Sequence, residues 1–229
     1  MSKVFVTGMG TISALGNTLE ENRSALRNGI SGIGVLENFA SKYAGILPFG
    51  EIKLDTKVLK EKLSIKSESV TRTSLLALLA CHEAVKDSGL SLEDVQSVRT
   101  AFVGANTIGG MCLTDELYND ANRSRDASPF IASYDAGSVS IFVQEQLGIK
   151  GISNTINTAC SSSANVIMYG SRLIKNGFAD RVIVGGVDSL AKFTINGFNS
   201  LHILSPDPCI PFDRDRKGLN LGEGAAFLV

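Results

Sequence analysis

The sequence predicts an α/β domain in which helices flank a largely parallel central sheet. Short apolar runs alternate with segments of helical periodicity along the whole chain, which is the pattern of strand–helix–strand units. The 23 glycines are spread through the predicted turns instead of forming a flexible tract. A chain of 229 residues, of which 44% are hydrophobic, can bury a sizeable core in one domain or in two small ones.

Each predicted strand is a short run of apolar or β-branched residues that ends at glycine or at small polar residues. In chain order, these runs are residues 3–8, 100–105, 152–157 and 181–187, with a last one within 218–229. The first run leads into Gly8-Met-Gly10, which lacks the third glycine of a dinucleotide-binding loop. We therefore interpret it as a turn at the end of a strand. The glycines after Ile108 follow the second strand, where open α/β sheets bind ligands.

The predicted helices mostly begin beside a capping residue and end at a glycine. In chain order, they are residues 18–28, 71–88, 135–147, the segment between Cys160 and Gly177, and 192–205. The clearest is 71–88, because Leu75, Leu78, Leu79, His82 and Val85 recur at steps of three and four residues. That spacing places His82 on or beside the apolar stripe, where a packed core residue is a commoner role than catalysis.

Three connecting segments carry loop or surface signals. Glycine and proline interrupt residues 31–54, so we expect an irregular excursion over the surface. Lysines follow at positions 53, 57, 60, 62 and 66, mixed with acidic residues. We interpret this stretch as a solvated helix face, and docking of an acidic partner is the alternative. Residues 111–126 are polar, and we expect a loop or a loose helix there.

Cys160 lies at the junction between the strand 152–157 and the helix that follows it. That helix carries no charge before Arg172, which predicts that it is buried. The unpaired N–H groups and the dipole at a helix N-terminus favour a thiolate, so Cys160 is a candidate nucleophile. A small buried thiol that only packs is the alternative. For the three serines 161–163, we favour capping of the helix over tuning of the cysteine.

Composition excludes several classes of function. The net charge of −1 does not favour nucleic acid or an anionic membrane surface as a partner. The sequence shows no signal peptide and no apolar stretch long enough to cross a bilayer. The four cysteines show neither CxxC pairs nor metal-binding spacing, so we expect reduced thiols in a cytoplasmic protein that needs no metal or cofactor.

The hexapeptide Thr158-Ala-Cys160-Ser-Ser-Ser163 resembles the β-ketoacyl-acyl carrier protein synthases, the condensing enzymes of fatty-acid and polyketide synthesis. Further motifs in the expected order extend the resemblance over essentially the whole chain. These motifs are VFVTGMG at 4–10, RTSLLA at 72–77, GANTIGG at 104–110, VGGVD at 184–188, LSP at 204–206, PFD at 211–213 and GEGA at 222–225.

The resemblance implies a thiolase-like fold and a two-stage Claisen condensation. Cys160 would take an acyl chain from an acyl carrier protein, and the carbanion left by decarboxylation of malonyl-carrier protein would then attack it. In the family, two histidines and a lysine come from a second half, and neither His82 nor His202 lies in such a motif. We therefore expect residues 1–229 to be the N-terminal half alone, unable to condense by itself, from a homodimeric enzyme.

The resemblance also implies roles for residues away from the nucleophile. Ile108 and Phe198 would line the acyl pocket, although core packing explains them nearly as well. The residues in the region that binds the acidic carrier protein in similar enzymes are Lys60, Lys62, Lys66 and Arg72. The Cys160 backbone N–H would donate to the oxyanion of the reaction.

Two departures from the family pattern leave the substrate open. Ile210 stands where the family usually has arginine, and Lys217 stands where it usually has aspartate. A polyketide-type or aryl-polyene-type ketosynthase is therefore an alternative to a fatty-acid enzyme. A second alternative is a non-catalytic partner similar to a chain-length factor, but those partners lack the cysteine that this chain has at position 160. A thiolase fits the motifs less well.

Overall fold

The computed structural model describes residues 3–123, 126 and 128–229, and within them five strands form one mixed sheet. The strands are β1 (Met9–Ser13), β2 (Thr100–Ala105), β3 (Ser153–Ile156), β4 (Arg181–Asp188) and β5 (Gly224–Leu228). Their order is β1-β5-β4-β2-β3. Strands β3, β2 and β4 are parallel, whereas β5 runs antiparallel to both β4 and β1. Only β5 therefore opposes the common direction, which confirms the predicted mostly parallel, mixed sheet.

Helices cover both faces of this sheet. The α-helices of the described residues are α1 (Leu19–Arg27), α2 (Thr56–Lys62), α3 (Arg72–Ser88), α4 (Leu92–Gln96), α5 (Thr114–Arg123), α6 (Ala136–Leu147), α7 (Ser162–Lys175) and α8 (Lys192–Ser200). Of these, α2, α5 and α8 pack mainly on other helical segments. The helices α3 and α6 share one core with Phe102 and Phe227, whose rings stack at 5.9 Å between centroids. The helix α7 packs on the other face, against Val103 and Val184. Because side chains alternate along a strand, β2 is buried on both faces.

Several predicted elements are confirmed at their residues because local signals fix their ends. The strand 100–105 is β2, and Asp135 caps α6, which ends at Gly148 in a left-handed conformation. Thr71 and Gly89 bound α3 in the same way, and Thr18 caps α1. These ends follow from side-chain capping and from the freedom of glycine at positive φ.

The first predicted strand, residues 3–8, is wrong, because the strand begins at Met9. Phe5 and Val6 are exposed, and β5 pairs with residues 9–13 instead. The predicted turn at Gly8 and Gly10 is the start of the strand, pressed against α3. A Cβ on Gly10 would lie 2.1 Å from the Ala80 carbonyl oxygen, so the glycine serves close packing.

Carboxylates of α3 satisfy the backbone at the edge of β1. Glu83 accepts a hydrogen bond from the Thr11 N–H at 2.8 Å, and Asp87 accepts one from the Met9 N–H at 2.9 Å. These residues are one helical turn apart, which matches the spacing of outward N–H groups along the strand. The edge is thereby closed to pairing with another strand.

Two helix predictions are wrong in extent or burial. The helix 192–205 ends at Ser200, and His202 then adopts a positive φ of 57° that a helix cannot continue through. The helix α7 buries one stripe only, while Ile167 and Met168 on its other side are 44% and 45% exposed. His82 is also exposed, so it is not the packed core residue that its spacing predicted.

In the part of the chain that the structure describes, no helix is both long and apolar enough to span a bilayer. Within the same residues, no group of three or more histidine, cysteine, aspartate or glutamate side chains is arranged to hold a metal ion.

Candidate active site

A cavity of about 380 Å³ opens beyond the carboxyl ends of the parallel strands β2 and β4. Sheets of this kind bind ligands at this edge, where the loops diverge. The polar side chains in its wall belong to Cys160, Ser162, Ser163, Asn106, Thr107, Asp188, Thr11 and Ser13. The cavity therefore combines a thiol, several hydroxyls, an amide and a carboxylate, and it is the candidate active site.

A larger cavity of about 760 Å³ lies between residues 36–44 and the start of α8. Its wall includes Lys42 and Lys192, but it offers no cysteine or histidine among the described residues. Size alone does not identify a catalytic site, since nucleophilic catalysis requires a reactive side chain in the cavity wall.

Cys160 sits in a single 3-10 turn, residues 159–161, that connects β3 to α7. Its side chain is exposed, which excludes the alternative of a buried packing thiol. The preceding Ala159 has φ of 53°, in the left-handed region that costs a non-glycine residue about 1–2 kcal/mol. Such strain persists only where neighbouring interactions hold it, and it occurs often at functional sites.

Hydrogen bonds around the turn hold this conformation. The Thr158 N–H donates to the Ser162 hydroxyl at 2.8 Å, and that hydroxyl donates to the Ala159 carbonyl at 2.7 Å. The Asn165 amide donates to the Thr158 hydroxyl at 2.7 Å, and the Ser161 hydroxyl donates to the Thr158 carbonyl at 2.9 Å. The turn is therefore cross-linked to the first turn of α7.

The prediction that serines 161–163 cap the helix is wrong. Ser161 stands at the N-cap position of α7, but its side chain makes no capping bond there, because it turns back to Thr158. Side chains therefore leave the first N–H groups of α7 uncovered. Backbone N–H groups at a helix start attract an anion, such as a thiolate or the oxyanion of an acyl transfer.

Asp188 is a site residue that the sequence reasoning missed. Its Oδ1 accepts hydrogen bonds from the Thr107 N–H at 2.8 Å and from the Ile108 N–H at 2.7 Å. Burial raises the pKa of this carboxyl group, and the two backbone bonds only partly oppose that rise. The pairing of Ala105 with Gly186 brings Asp188 beside the turn after β2. A carboxylate at the end of a buried strand was the available signal.

Asn106 is the other residue that was missed. It is 2% exposed, and its Nδ2 donates to the Ala136 carbonyl at 2.9 Å, which fixes the orientation of the amide. Its Oδ1 is buried and has no hydrogen-bond partner among the described residues. An unpaired buried carbonyl oxygen costs about 1–3 kcal/mol, so this position is not optimised for stability alone.

The structure does not bring the two predicted acyl-pocket residues to the cavity. Ile108 is 6% exposed, and Phe198 is an exposed residue of α8. Among the described residues, neither side chain lines the wall next to Cys160. Their role in an acyl pocket stays a prediction.

The predicted carrier-binding residues divide into two groups. Lys62 ends α2 and Lys66 follows it, and both are exposed. Lys60 is half-buried and donates to the Glu68 carbonyl at 3.3 Å. The surface that Lys60, Lys62 and Lys66 form stays a candidate docking site.

Arg72 has a structural role instead. Its guanidinium forms a 2.7 Å ion pair with Glu223, whose side chain is 1% exposed. The remaining donors reach the carbonyls of Ile52 and Leu54 and the hydroxyl of Thr56 at 3.0, 2.8 and 3.1 Å. All five N–H groups of an arginine are used in this way, so none is left for a carrier protein.

The chain matches the family model for the beta-ketoacyl synthase N-terminal domain over residues 1–229. It is 32% identical to "3-oxoacyl-[acyl-carrier-protein] synthase 2" of Synechocystis sp. over 99% of its length. It is also 32% identical to "Nodulation protein E" of Rhizobium sp. over the same share. The chain spans 57% of each of these relatives.

Solved structures show the same architecture. The ishigamide ketosynthase/chain length factor matches with a TM-score of 0.85 and 26% identity, over 97% of this chain and 56% of that chain. The ketosynthase ApeO of Xenorhabdus doucetiae, solved with its chain length factor ApeC, matches with a TM-score of 0.81 and 28% identity, over 100% and 59%. These similarities confirm the predicted thiolase-like fold.

Proposed function

The chain belongs to the β-ketoacyl synthase family, and from this premise we propose that Cys160 is the acyl-accepting nucleophile of a condensing enzyme. The observation that carries the proposal is the placement of an exposed cysteine in a strained turn, between a parallel strand and the uncapped start of α7. That placement suits a thiol that must attack a carbonyl carbon and later leave it again.

In the proposed first stage, the Cys160 sulfur attacks the thioester carbonyl of an acyl group on a carrier protein. The tetrahedral oxyanion forms beside the start of α7, where the Cys160 N–H is the proposed donor. When this intermediate collapses, the bond to the carrier sulfur breaks. The carrier thiol leaves with the proton that Cys160 lost, and the acyl group stays on Cys160.

In the proposed second stage, a malonyl thioester loses carbon dioxide, and the resulting carbanion attacks the acyl-cysteine carbonyl. The cysteine sulfur leaves, and the acyl chain is two carbons longer. Stabilising the enolate of this stage requires cationic or hydrogen-bonding groups beyond those in the described cavity wall, where no histidine or lysine lies. We therefore expect the 229-residue chain to accept acyl groups without extending them, and chain extension by the purified chain would overturn this expectation.

A pair of cysteine variants tests the nucleophile. Cys160 and Cys209 are both exposed, so Cys209 is a matched control for accessibility. When the protein is incubated with a carrier protein loaded with an acyl group, transfer of that group increases its mass. We expect Cys160→Ser to abolish this mass increase and Cys209→Ser to leave it unchanged. Acyl transfer that persists in the Cys160 variant would contradict the proposal.

We propose that an acyl carrier protein docks on Lys60, Lys62 and Lys66. An acidic partner would meet the exposed Lys62 and Lys66 beside Lys60, whose ammonium group donates to the Glu68 carbonyl, and long-range attraction would raise its association rate. Lys62→Glu and Lys66→Glu should weaken binding most at low salt. Lys86→Glu on α3 is the control, and an equal loss there would assign the effect to net charge instead of to this surface.

We also propose that the enzyme is a homodimer, with a second copy covering the exposed side of α7. Strand β3 lies at an edge of the described sheet. The helix that follows it in the sequence, α7, carries the exposed apolar side chains of Ile167 and Met168. Unpaired edges and apolar patches are features of an interface. In sedimentation velocity, Met168→Glu should shift the protein toward monomer, whereas Leu92→Glu at another exposed apolar site should not. A dimer that withstands the Met168 change would refute this interface.

The runner-up is a polyketide-type or aryl-polyene-type ketosynthase, which is compatible with the two solved neighbours, both of them ketosynthases with a chain length factor. Lys217, at the position where the family usually has aspartate, forms a 3.0 Å ion pair with Asp207. Ile210 is 45% exposed in the same loop. The rate at which Cys160 is acylated can be compared between saturated and conjugated polyene acyl donors. This comparison distinguishes a fatty-acid enzyme from a polyketide-type or aryl-polyene-type enzyme.

A further inference from the structure

The turn at residues 106–110 is anchored by hydrogen bonds to residues that do not line the Cys160 cavity. The anchoring bonds join the Asn106 amide to the Ala136 carbonyl at 2.9 Å, the Thr73 hydroxyl to the Gly109 carbonyl at 3.1 Å, and the Gly110 N–H to the Tyr134 carbonyl at 3.0 Å. These bonds reach two parts of the chain, the start of α3 and the segment 134–136. The outer side of the turn is therefore fixed by elements that do not touch Cys160.

The turn also has no room to retreat from the cavity. A Cβ on Gly109 would meet the Ala136 backbone at 2.9 Å, and a Cβ on Gly110 would meet the Ser133 carbonyl oxygen at 2.3 Å. Both distances are shorter than normal van der Waals contact, so the backbone of residues 133–136 presses directly on the turn. Residues 133–136 therefore resist displacement of the turn away from the cavity.

On the cavity side, Asp188 holds the turn. Its Oδ1 accepts the N–H groups of both Thr107 and Ile108, and the residue itself lines the cavity with Cys160. Two buried N–H groups that lose a carboxylate acceptor must find another partner or remain unpaired. Thr107 lines the cavity, which is open space beside these N–H groups, so we expect loss of the carboxylate to draw the turn toward Cys160.

We propose that Asp188 is a positioning residue that sets the space for an acyl chain on Cys160, because it fixes the turn of Thr107 and Ile108. This inference rests on the proposed function, since it requires Cys160 to carry an acyl group. It concerns the length of chain that fits, and not the reactivity of the thiol. A defect in Asp188 should therefore discriminate between short and long acyl groups.

The test compares two acyl donors on the intact protein. Hexanoyl and dodecanoyl thioesters of N-acetylcysteamine are offered separately, and the rate of Cys160 acylation is followed by mass spectrometry. Asp188→Leu removes both acceptor oxygens in a side chain of similar size, whereas Asp188→Asn keeps one. Asp180→Asn, at the opposite end of β4 and paired with Arg99, is the control for loss of a carboxylate.

We expect Asp188→Leu to lower the ratio of dodecanoyl to hexanoyl acylation about tenfold, which is less than the roughly 10²-fold that a 1 Å misplacement of reacting groups can cost. Asp188→Asn should keep most of the wild-type ratio, and Asp180→Asn all of it. An unchanged ratio in folded Asp188→Leu, or an equal loss with both donors, would overturn the inference and leave the proposed function standing. Wild-type protein that neither donor acylates would overturn the proposed function and this role together.

Hydrogen exchange keeps the inference open to refutation if Asp188→Leu does not fold. The amides of Thr107 and Ile108 should be protected in the wild-type protein and exchange at least about tenfold faster in Asp188→Asn, whose neutral oxygen is a weaker acceptor. Exchange of these two amides in the wild-type protein at the rate of an exposed loop would show that Asp188 does not hold the turn.

Discussion

Replacing Arg72 by methionine should destabilise the fold strongly, because the change leaves the Glu223 carboxylate buried without its cation. The Glu223 side chain is 1% exposed, and that of Arg72 is 13% exposed. The carboxylate also accepts the Ile52 N–H at 3.0 Å and the Leu190 N–H at 3.2 Å. It therefore ties the loop before α2 and the end of β4 to the start of β5.

The magnitude follows from what remains after the change. Removing one partner of a buried ion pair costs about 3–5 kcal/mol, because the other charge stays desolvated and unpaired. Two backbone N–H donors still bind the Glu223 carboxylate, so we expect a value near the lower end of that range. Adding Glu223→Gln removes the charge and keeps an acceptor oxygen, so the double variant should be more stable than Arg72→Met alone.

Urea unfolding followed by circular dichroism measures these differences, since the chain has no tryptophan to report by fluorescence. Arg99→Met is the control, because Arg99 pairs with Asp180 at 2.7 Å on the exposed surface. That pair should contribute little to stability, because solvent screens the attraction between exposed charges. Two results would refute the conclusion that desolvation of the unpaired Glu223 carboxylate dominates the cost of losing Arg72. One is a decrease in the free energy of unfolding below about 1 kcal/mol for Arg72→Met, and the other is a double variant less stable than the single one.

Two further predictions concern packing and acid stability. Gly170→Ala in α7 should cost about 1–3 kcal/mol, because the new Cβ would meet a valine methyl of β4 at 2.5 Å. Gly197→Ala in α8, where nothing lies within 4 Å, should stabilise the fold by about 0.5–1 kcal/mol, and equal urea midpoints for the two variants would contradict this reading. Burial raises the pKa of Glu51, but the N–H groups of residues 37–39 and a lysine ammonium lower it by more, so its folded-state pKa lies below the ordinary value. The stabilisation of the fold by the ionised Glu51 carboxylate is present above the unfolded-state pKa and is lost as the pH falls through the folded-state pKa. Glu51→Gln should therefore flatten the fall of the free energy of unfolding at acid pH. An unchanged slope of that free energy against pH would contradict the prediction.

The elements that could be predicted from the sequence are those whose ends are set locally. Thr71 and Gly89 bound α3, and Asp135 and Gly148 bound α6, because capping and positive φ involve only neighbouring residues. The start of β1 escaped prediction for the opposite reason. Its position depends on close packing of Gly10 against α3, about seventy residues away in the chain.

The burial of α7 shows a second limit of local patterns. An uncharged segment indicates a surface that avoids charge, and it does not identify what covers that surface. Within the described chain, Val166 and Leu173 pack on the sheet, while Ile167 and Met168 remain exposed. The same composition is expected for a helix face that packs against another subunit, which is how the proposed homodimer accounts for it.

The candidate site was predictable where one local junction defines it, and not where distant strands do. Cys160 is found from a strand that meets a helix, because that junction is continuous in sequence. Asp188 reaches the turn after β2 only through the register of β4 against β2, eighty residues apart. Arg72 and Glu223 are separated by 151 positions, so no local pattern distinguishes this structural arginine from a docking one.

The buried carboxylates near the cavity act as scaffolding, which limits how Cys160 can be activated. Glu223 is saturated by Arg72 and by backbone donors, and Asp188 directs one oxygen to two N–H groups of the turn after β2. Neither of them makes a hydrogen bond to the thiol among the described contacts, so neither acts as its general base in this geometry. For the proposed nucleophile, stabilisation of the sulfur anion would then come from the start of α7. On this argument, perturbing the turn at Ala159 should slow acylation of Cys160 more than removing either carboxylate does.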